Sequence, residues 1–228
     1  GTNTYVVGRD PAVVIDPGPG DQGHAEKVRA AAEARGGIGA VLLTHGHSDH
    51  SAGVELLGVP PAALEDGEAI AGIAALATPG HAHDHFCFLL GADHPAAAGA
   101  GGAVCFAGDL ILGEGSSIVP PAGQGGSLAE YMRSLRRLHG LDLALILPGH
   151  GPPVPDPADR IAAYIEHRES RERRLVRALE AGVRSRMEML EFVWDDVPAE
   201  LRPAAAFALQ AHLDKLAEEG RLPEGISE

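Results

Sequence analysis

Short apolar runs that end in polar clusters recur through the first 150 residues of the chain. Five of these runs are predicted to be strands, at residues 40–43, 73–77, 85–90, 103–107 and 143–147. A predicted hairpin (4–7 and 12–15) precedes them, and helical patterns alternate with them, which indicates an α/β fold. Four of the five runs lead directly into polar residues flanked by glycine or proline. Loops at the ends of core strands often carry chemistry, so we expect these clusters to form a functional site.

The loop after the strand at 40–43 contains four metal-ligand side chains within six residues: His45, His47, Asp49 and His50. The small residues between them allow the chain to bring these side chains to one point. Burying three imidazoles and a carboxylate without a cation would cost several kcal/mol. The cluster therefore predicts a metal site.

Three further candidate ligands, His81, Asp109 and His150, each follow another predicted strand and are each flanked by glycine. Together the candidates are five His and two Asp, which exceeds the needs of one four-coordinate ion and suits two ions that share a carboxylate. This donor set favours zinc, with iron or manganese as the alternatives.

The segment Thr44-His45-Gly46-His47-Ser48-Asp49-His50 resembles the THxHxDH signature of the metallo-β-lactamase superfamily, and the later motifs follow in that family's order. The resemblance implies that His45, His47 and His81 hold one metal, that Asp49, His50 and His150 hold the second, and that Asp109 bridges them. It also implies that Asp16 orients the histidine loop without binding metal. The implied fold is a four-layer αβ/βα sandwich with the metals at one edge of two packed sheets.

At a finer level the chain resembles the β-lactamase-like protein 2 subgroup, which includes a mitochondrial endoribonuclease in animals and related hydrolases in bacteria and fungi. The run from Gly1 to Tyr5, the run from Gly108 to Gly115 and the motif beginning at His167 carry this resemblance. It implies a small carboxy-terminal winged-helix-like domain, which agrees with three predicted helical segments at 158–179, 185–193 and 203–220. We predict a catalytic domain at residues 1–155 and a helical domain at 156–228, divided in a proline-rich stretch.

Two dications that share a water molecule lower its pKa towards neutrality, so the expected activity is metal-dependent hydrolysis. The expected substrates are small-molecule esters, thioesters or lactones, with Asp49 and Asp109 as catalytic residues. The alternatives are a single-strand-specific endoribonuclease, a mononuclear iron persulfide dioxygenase, and a non-catalytic metal-stabilised binding protein.

The net charge of −14 disfavours a partner with a phosphate backbone, although single-stranded RNA remains the alternative substrate. Only nine residues are aromatic, which also weakens the case for a surface that stacks on bases. No apolar run reaches the length of a membrane span, and the amino end does not resemble a signal peptide. The two cysteines, Cys87 and Cys105, lie in apolar runs and are predicted to be buried free thiols, so a cytoplasmic location is expected.

Two features have competing interpretations at this stage. His83 and His85 either line the site, with His85 in a position to hold a leaving group, or serve as structural or exposed residues. The charged run at residues 167–174 is interpreted as a solvated helix face. Its alternative is an arginine face turned towards an anionic substrate or the other domain.

Overall fold

The computed structural model describes residues 1–227 and contains two β-sheets. The first sheet has the order β1-β2-β3, with β1 (Tyr5–Val7), β2 (Ala12–Ile15) and β3 (Ile38–Leu42). The second has the order β4-β5-β6-β7-β8, with β4 (Ala69–Ile70), β5 (Ile73–Ala77), β6 (Phe86–Leu90), β7 (Ala103–Gly108) and β8 (Leu143–Pro148). The predicted hairpin and the five predicted strands are confirmed. The sequence did not predict β4, which has only two residues and therefore shows no alternating pattern.

Seven α-helices accompany the sheets in the described part of the chain. They are α1 (Gln22–Glu33), α2 (Ser48–Ser51), α3 (Gly53–Leu57), α4 (Leu128–His139), α5 (Pro157–Glu180), α6 (Arg186–Val193) and α7 (Arg202–Glu218). Helices α1 and α4 begin at N-cap residues: the Asp21 carboxylate accepts a hydrogen bond from the amide of His24, and the Ser127 hydroxyl accepts one from that of Glu130. No described helix is long and apolar enough to span a bilayer.

Three apolar cores define four layers. One core lies between the sheets and joins residues such as Ile15 and Leu42 of the first sheet to Phe88 and Phe106 of the second. The outer face of the first sheet packs against α1 and α3. The outer face of the second sheet packs against α4 and the start of α5. The observed order is helices, sheet, sheet, helices, as predicted.

The carboxy-terminal helices form a separate core around Leu175, Met189, Trp194 and Leu213. Helix α5 belongs to two cores, because Ile161 and Tyr164 pack beneath the second sheet whereas Leu175 and Leu179 pack against α6 and α7. Since α5 links both bodies, its side chains can reach the sandwich. The division after residue 155 stays a prediction.

Strand direction explains why the polar clusters meet. Strands β7 and β8 are parallel, and β5 runs in the same direction because it is antiparallel to β6, which is antiparallel to β7. The carboxyl ends of β5, β7 and β8 therefore share one edge of the second sheet. The loop after β3 meets that edge, since the Thr44 carbonyl accepts a hydrogen bond from the Phe86 amide.

Candidate metal centre

A buried carboxylate fixes the loop that follows β3. Asp16 Oδ1 accepts a hydrogen bond from the amide of Thr44 (2.7 Å), and Oδ2 accepts one from its hydroxyl (2.7 Å). Oδ2 also lies 2.8 Å from Nδ1 of His50. Asp16 has a φ of +50°, a left-handed conformation that aspartate tolerates better than most residues. One side chain thus holds both ends of the histidine loop, in agreement with the orienting role that the resemblance implies.

The first ligand group contains His45, His47 and His81. Nδ1 of His47 lies 2.9 Å from Nε2 of His45 and 3.1 Å from Nε2 of His81. His45 and His81 are buried, whereas His47 is exposed. Three imidazole nitrogens therefore point at one small volume that is open on the His47 side.

The second group contains Asp49, His50 and His150. Nε2 of His50 lies 3.3 Å from Nε2 of His150, and Oδ2 of Asp49 lies 3.5 Å and 3.3 Å from these two nitrogens. The short helix α2 presents Asp49 and His50, while His150 follows β8. The Asp49 side chain is about half exposed, so this group also opens to solvent.

Asp109 lies between the two groups. Its Oδ1 is 3.4 Å from Nε2 of both His50 and His150, and its Oδ2 is 3.7 Å from Nε2 of His81. Each carboxylate oxygen thus faces a different group, as a bridging carboxylate would. The fold brings all seven predicted ligands together, and their binding of metal stays a prediction.

Hydrogen bonds to the outer nitrogens fix which imidazole nitrogens carry lone pairs. The Thr44 hydroxyl donates to Asp16, so it accepts from Nδ1 of His45 (3.0 Å). Nδ1 of His81 donates to the Ile118 carbonyl (2.7 Å), and Nδ1 of His150 donates to that of Gly1 (3.2 Å). Nδ1 of His50 donates to Asp16. The Nε2 atoms of these four residues therefore face the centre as acceptors, the form in which histidine binds metal.

The pKa values agree with this assignment for the first group. Burial, reinforced by the surrounding imidazoles, lowers the pKa of His45, and burial also lowers that of His81. These two rings are therefore neutral at physiological pH. For His50, burial opposes protonation, but the hydrogen bond and charge of Asp16 outweigh it and raise the pKa.

Three observations test whether divalent cations fit here. Oδ1 of Asp109 is buried and has no hydrogen-bond partner, although such an atom normally has one. The lone pairs on Nε2 of His45 and of His81 both face Nδ1 of His47, 2.9 and 3.1 Å away; a proton on Nδ1 could bond to only one of them, whereas a shared cation would bind all three nitrogens. A Cβ at Gly149 would lie 2.6 Å from Oδ1 of Asp109, so glycine keeps this space open. The nitrogen and oxygen donors suit zinc, iron or manganese.

His85 is a structural neighbour of the centre and lies outside the ligand groups. It is 1% exposed, and its Nε2 accepts a hydrogen bond from the amide of Asp109 (3.2 Å). Its Nδ1 therefore donates to the Thr78 hydroxyl, 2.9 Å away. His85 fixes the backbone of the bridging residue, which supports the structural interpretation. His83 is exposed.

The first residues of the chain support the second ligand group, a role that sequence analysis missed. The Thr2 hydroxyl donates to Oδ2 of Asp49 (2.9 Å), and the Tyr5 hydroxyl donates to the Pro148 carbonyl (2.7 Å). The run from Gly1 to Tyr5 was recognised only as part of the subgroup resemblance. A resemblance marks such residues but does not reveal what they contact.

The interpretation of residues 167–174 as a solvated face is wrong for two arginines. Arg168 is 6% exposed and donates to the Ser117 carbonyl. Arg171 is 9% exposed and forms a bidentate pair with Asp196. Arg173, in contrast, is exposed. Arg168 is turned towards the other domain, which is one of the alternatives considered above.

Comparisons with known families agree with this architecture. Residues 1–63 match the family described as the Metallo-beta-lactamase superfamily. Residues 185–224 match the Beta-lactamase associated winged helix domain. The predicted winged-helix character of the carboxy-terminal helices is therefore confirmed.

Three curated relatives align with most of the chain. The lactamase-like protein adaB of Aspergillus niger is 34% identical, over 97% of this chain and 77% of its own length. An atrochrysone carboxyl ACP thioesterase of Aspergillus fumigatus is 31% identical, over 88% and 70%. A beta-lactamase-like protein 2 homologue of Drosophila melanogaster is 28% identical, over 97% and 84%.

Two crystal structures have a similar fold. A metallo-beta-lactamase family protein from Thermus thermophilus has a TM-score of 0.71 and 24% identity, over 96% of this chain and 89% of its own. The di-iron-bound form of the protein TTHA1623 has a TM-score of 0.52 and 28% identity, over 73% and 92%. The second structure shows that a related chain binds two metal ions.

Proposed function

The chain belongs to the metallo-beta-lactamase superfamily, whose members are hydrolases, and we propose that it hydrolyses small-molecule thioesters with two zinc ions. Esters and lactones are the neighbouring substrate classes in this proposal. One observation carries it: the two oxygens of Asp109 face two separate ligand groups. That arrangement suits a pair of cations that share a carboxylate.

The proposed ligands divide as the family resemblance implies. His45, His47 and His81 would hold one ion, and Asp49, His50 and His150 would hold the other, with Asp109 shared between them. When bound, zinc supplies Lewis acidity, which lowers the pKa of water and polarises a carbonyl group.

The side chains of the centre supply positioning and proton handling. The hydrogen bond from Thr2 and the charges of nearby histidines outweigh partial burial and lower the pKa of Asp49. Its carboxylate therefore stays ionised at neutral pH and can accept a proton from the attacking water. Because Asp49 is about half exposed, water and substrate reach it from the open side of the centre.

The chemistry of the leaving group favours thioesters. Asp16 and His85, the buried ionisable residues that support the proposed ligands, are already hydrogen-bonded within the fold. Neither of them is placed to act as a separate general acid that protonates a leaving group. A thiol ionises near pH ~8.5, so a thiolate leaves without a proton, whereas an amine does not. The relative named as an ACP thioesterase supports the same class.

A substrate panel tests the proposal. Zinc-loaded and chelator-treated protein would be assayed with an acyl thioester, the matching oxygen ester, a lactone and a single-stranded RNA oligomer. We expect zinc-dependent thiol release, with Asp109→Asn inactive and depleted of metal. Asp142→Asn, at an exposed position, should behave as wild type.

The same panel distinguishes the alternatives. RNA cleavage that zinc restores, without thiol release, would replace the proposal with the ribonuclease. Elemental analysis that finds one iron per chain would favour the dioxygenase. Full thiol release by metal-loaded Asp109→Asn would contradict the shared-carboxylate assignment.

A further inference from the structure

Three side chains on one face of α5 bind the segment 112–117. Arg160, Tyr164 and Arg168 are spaced four residues apart, so they form one row along the helix. Nη2 of Arg160 donates to the Leu112 carbonyl (2.9 Å) and to that of Gly115 (3.0 Å). The Tyr164 hydroxyl accepts from the Leu112 amide (3.0 Å) and donates to the Gly115 carbonyl (3.1 Å).

Arg168 is the third residue of the row. Its Nη2 donates to the Ser116 hydroxyl (3.0 Å) and to the Ser117 carbonyl. Its guanidinium carbon lies 5.5 Å from the centroid of the Tyr131 ring. No carboxylate among the described residues forms an ion pair with Arg168, although the side chain is only 6% exposed.

The segment that this row holds contacts two proposed ligands. The Ser117 hydroxyl donates to the backbone carbonyl of Asp109 (2.6 Å). The next residue, Ile118, accepts the hydrogen bond from Nδ1 of His81 that leaves Nε2 of that ring facing the centre. A displacement of Ser117 would therefore change the positions of both Asp109 and His81.

A buried arginine without an acidic partner is costly for a fold. An apolar side chain would cover Tyr131 at lower cost if packing were the only requirement. Arg168, unlike an apolar residue, supplies donors to two successive residues of a segment that is otherwise a loop. The energetic cost is consistent with a role in fixing that loop.

We propose that Arg168, together with Tyr164 and Arg160, is a positioning residue of the metal centre. Through segment 112–117, α5 fixes the orientation of His81 and Asp109 and thereby tightens metal binding. Helix α5, which precedes the winged-helix match at residues 185–224, thus acts on the centre without contributing a ligand. This inference rests on the proposed metal site and is independent of the substrate.

The test compares zinc affinity among helix variants. Arg168→Met removes the donors and keeps the length of the side chain, Arg168→Lys retains one cationic donor, and Tyr164→Phe removes one hydroxyl. Arg177→Met is the matched control, since Arg177 is exposed on the same helix and no salt bridge involves it among the described residues. Zinc dissociation constants are measured by competition with a chromophoric chelator, and thermal unfolding is recorded with and without zinc.

We expect Arg168→Met to weaken zinc binding about 10- to 100-fold, as loss of outer partners of metal ligands typically does. The zinc-induced rise in Tm should shrink with it, Arg168→Lys should recover part of the affinity, and Arg177→Met should match wild type. The visible spectrum of the cobalt-substituted protein should also change in Arg168→Met, because the ligand geometry changes.

Unchanged zinc affinity in a folded Arg168→Met protein would overturn the inference. A lower Tm without zinc, combined with an unaltered zinc-induced rise, would also overturn it, because that result describes a purely structural residue. If Arg168→Met does not fold, Tyr164→Phe decides on the same criteria. If wild-type protein binds no zinc, the proposed site itself fails, which is a different result from equal binding by all variants.

Discussion

Replacing Gly149 with alanine tests whether the space beside Asp109 is required for metal binding. A Cβ at residue 149 would lie 2.6 Å from Oδ1 of Asp109 and 2.7 Å from Cε1 of His50. Ordinary contact begins at 3.4 Å, so the carboxylate oxygen would have to move by about 0.8 Å. The backbone of Gly149 is outside the left-handed region, so alanine adds a steric change with little backbone strain.

A misplacement of about 1 Å at a catalytic group costs on the order of 100-fold in rate. We therefore expect Gly149→Ala to lower kcat/KM for thioester hydrolysis by about 10- to 100-fold. Zinc binding should also weaken by about 10- to 100-fold, which corresponds to about 1.4–2.8 kcal/mol of binding free energy. Chelator competition and thiol release measure the two effects.

The control is Gly140→Ala, at the end of α4, where the nearest atom to a new Cβ is 3.5 Å away. This variant should retain the zinc affinity and activity of wild type. If Gly149→Ala behaved like Gly140→Ala in both assays, the centre would not depend on the position of Asp109, and the assignment of the bridge would be refuted.

Three individual residues lead to further predictions. Asp16→Asn keeps the left-handed backbone, but its side-chain amide group would donate where the Thr44 hydroxyl and Nδ1 of His50 now donate to a carboxylate oxygen. Chelator competition should therefore show zinc binding about 10- to 100-fold weaker, and unchanged binding would contradict the orienting role. His85→Leu leaves the amide of Asp109 without its acceptor and should reduce the urea-unfolding free energy of the metal-free protein by about 1–3 kcal/mol; no reduction would show that this bond is dispensable. Burial lowers the pKa of His212 to about 3, so the unfolded chain binds a proton that the fold excludes, and stability falls as pH drops from 6.5 towards 3. Between pH 7 and pH 5, urea titrations should show that the unfolding free energy falls by about 2 kcal/mol less in His212→Leu than in wild type, and an equal fall in both proteins would exclude this role for His212.

Local sequence patterns predicted the strands and the four candidate ligands of the histidine loop because both depend on short-range order. A strand followed by His45 to His50 places four side chains in one loop whatever the rest of the fold does. Asp109 and His150 could be added because the carboxyl ends of neighbouring parallel strands share an edge. The burial of Cys87 and Cys105 as free thiols was predicted for a similar local reason and is confirmed.

Contacts between distant segments could not be predicted in the same way. Arg168 reaches Ser117 across 51 residues, and its neighbours in the sequence are charged on every side of the helix, so no pattern distinguishes its face. His85 directly precedes β6, where a position lining the site, exposure and a structural hydrogen bond are all compatible with the sequence. Only the packing of β6 beside β7 shows that it accepts from the amide of Asp109.

Both sheets contribute candidate ligands to the centre, four from the first sheet and three from the second. The loop after β3 carries His45, His47, Asp49 and His50, while His81, Asp109 and His150 lie at strand ends of the opposite sheet. Neither half of the sandwich holds a complete set, so the proposed metal binding would become tight only after both halves have docked. The absorption band of added cobalt would thus report, during refolding, the moment at which the sandwich closes, separately from secondary-structure formation in either sheet.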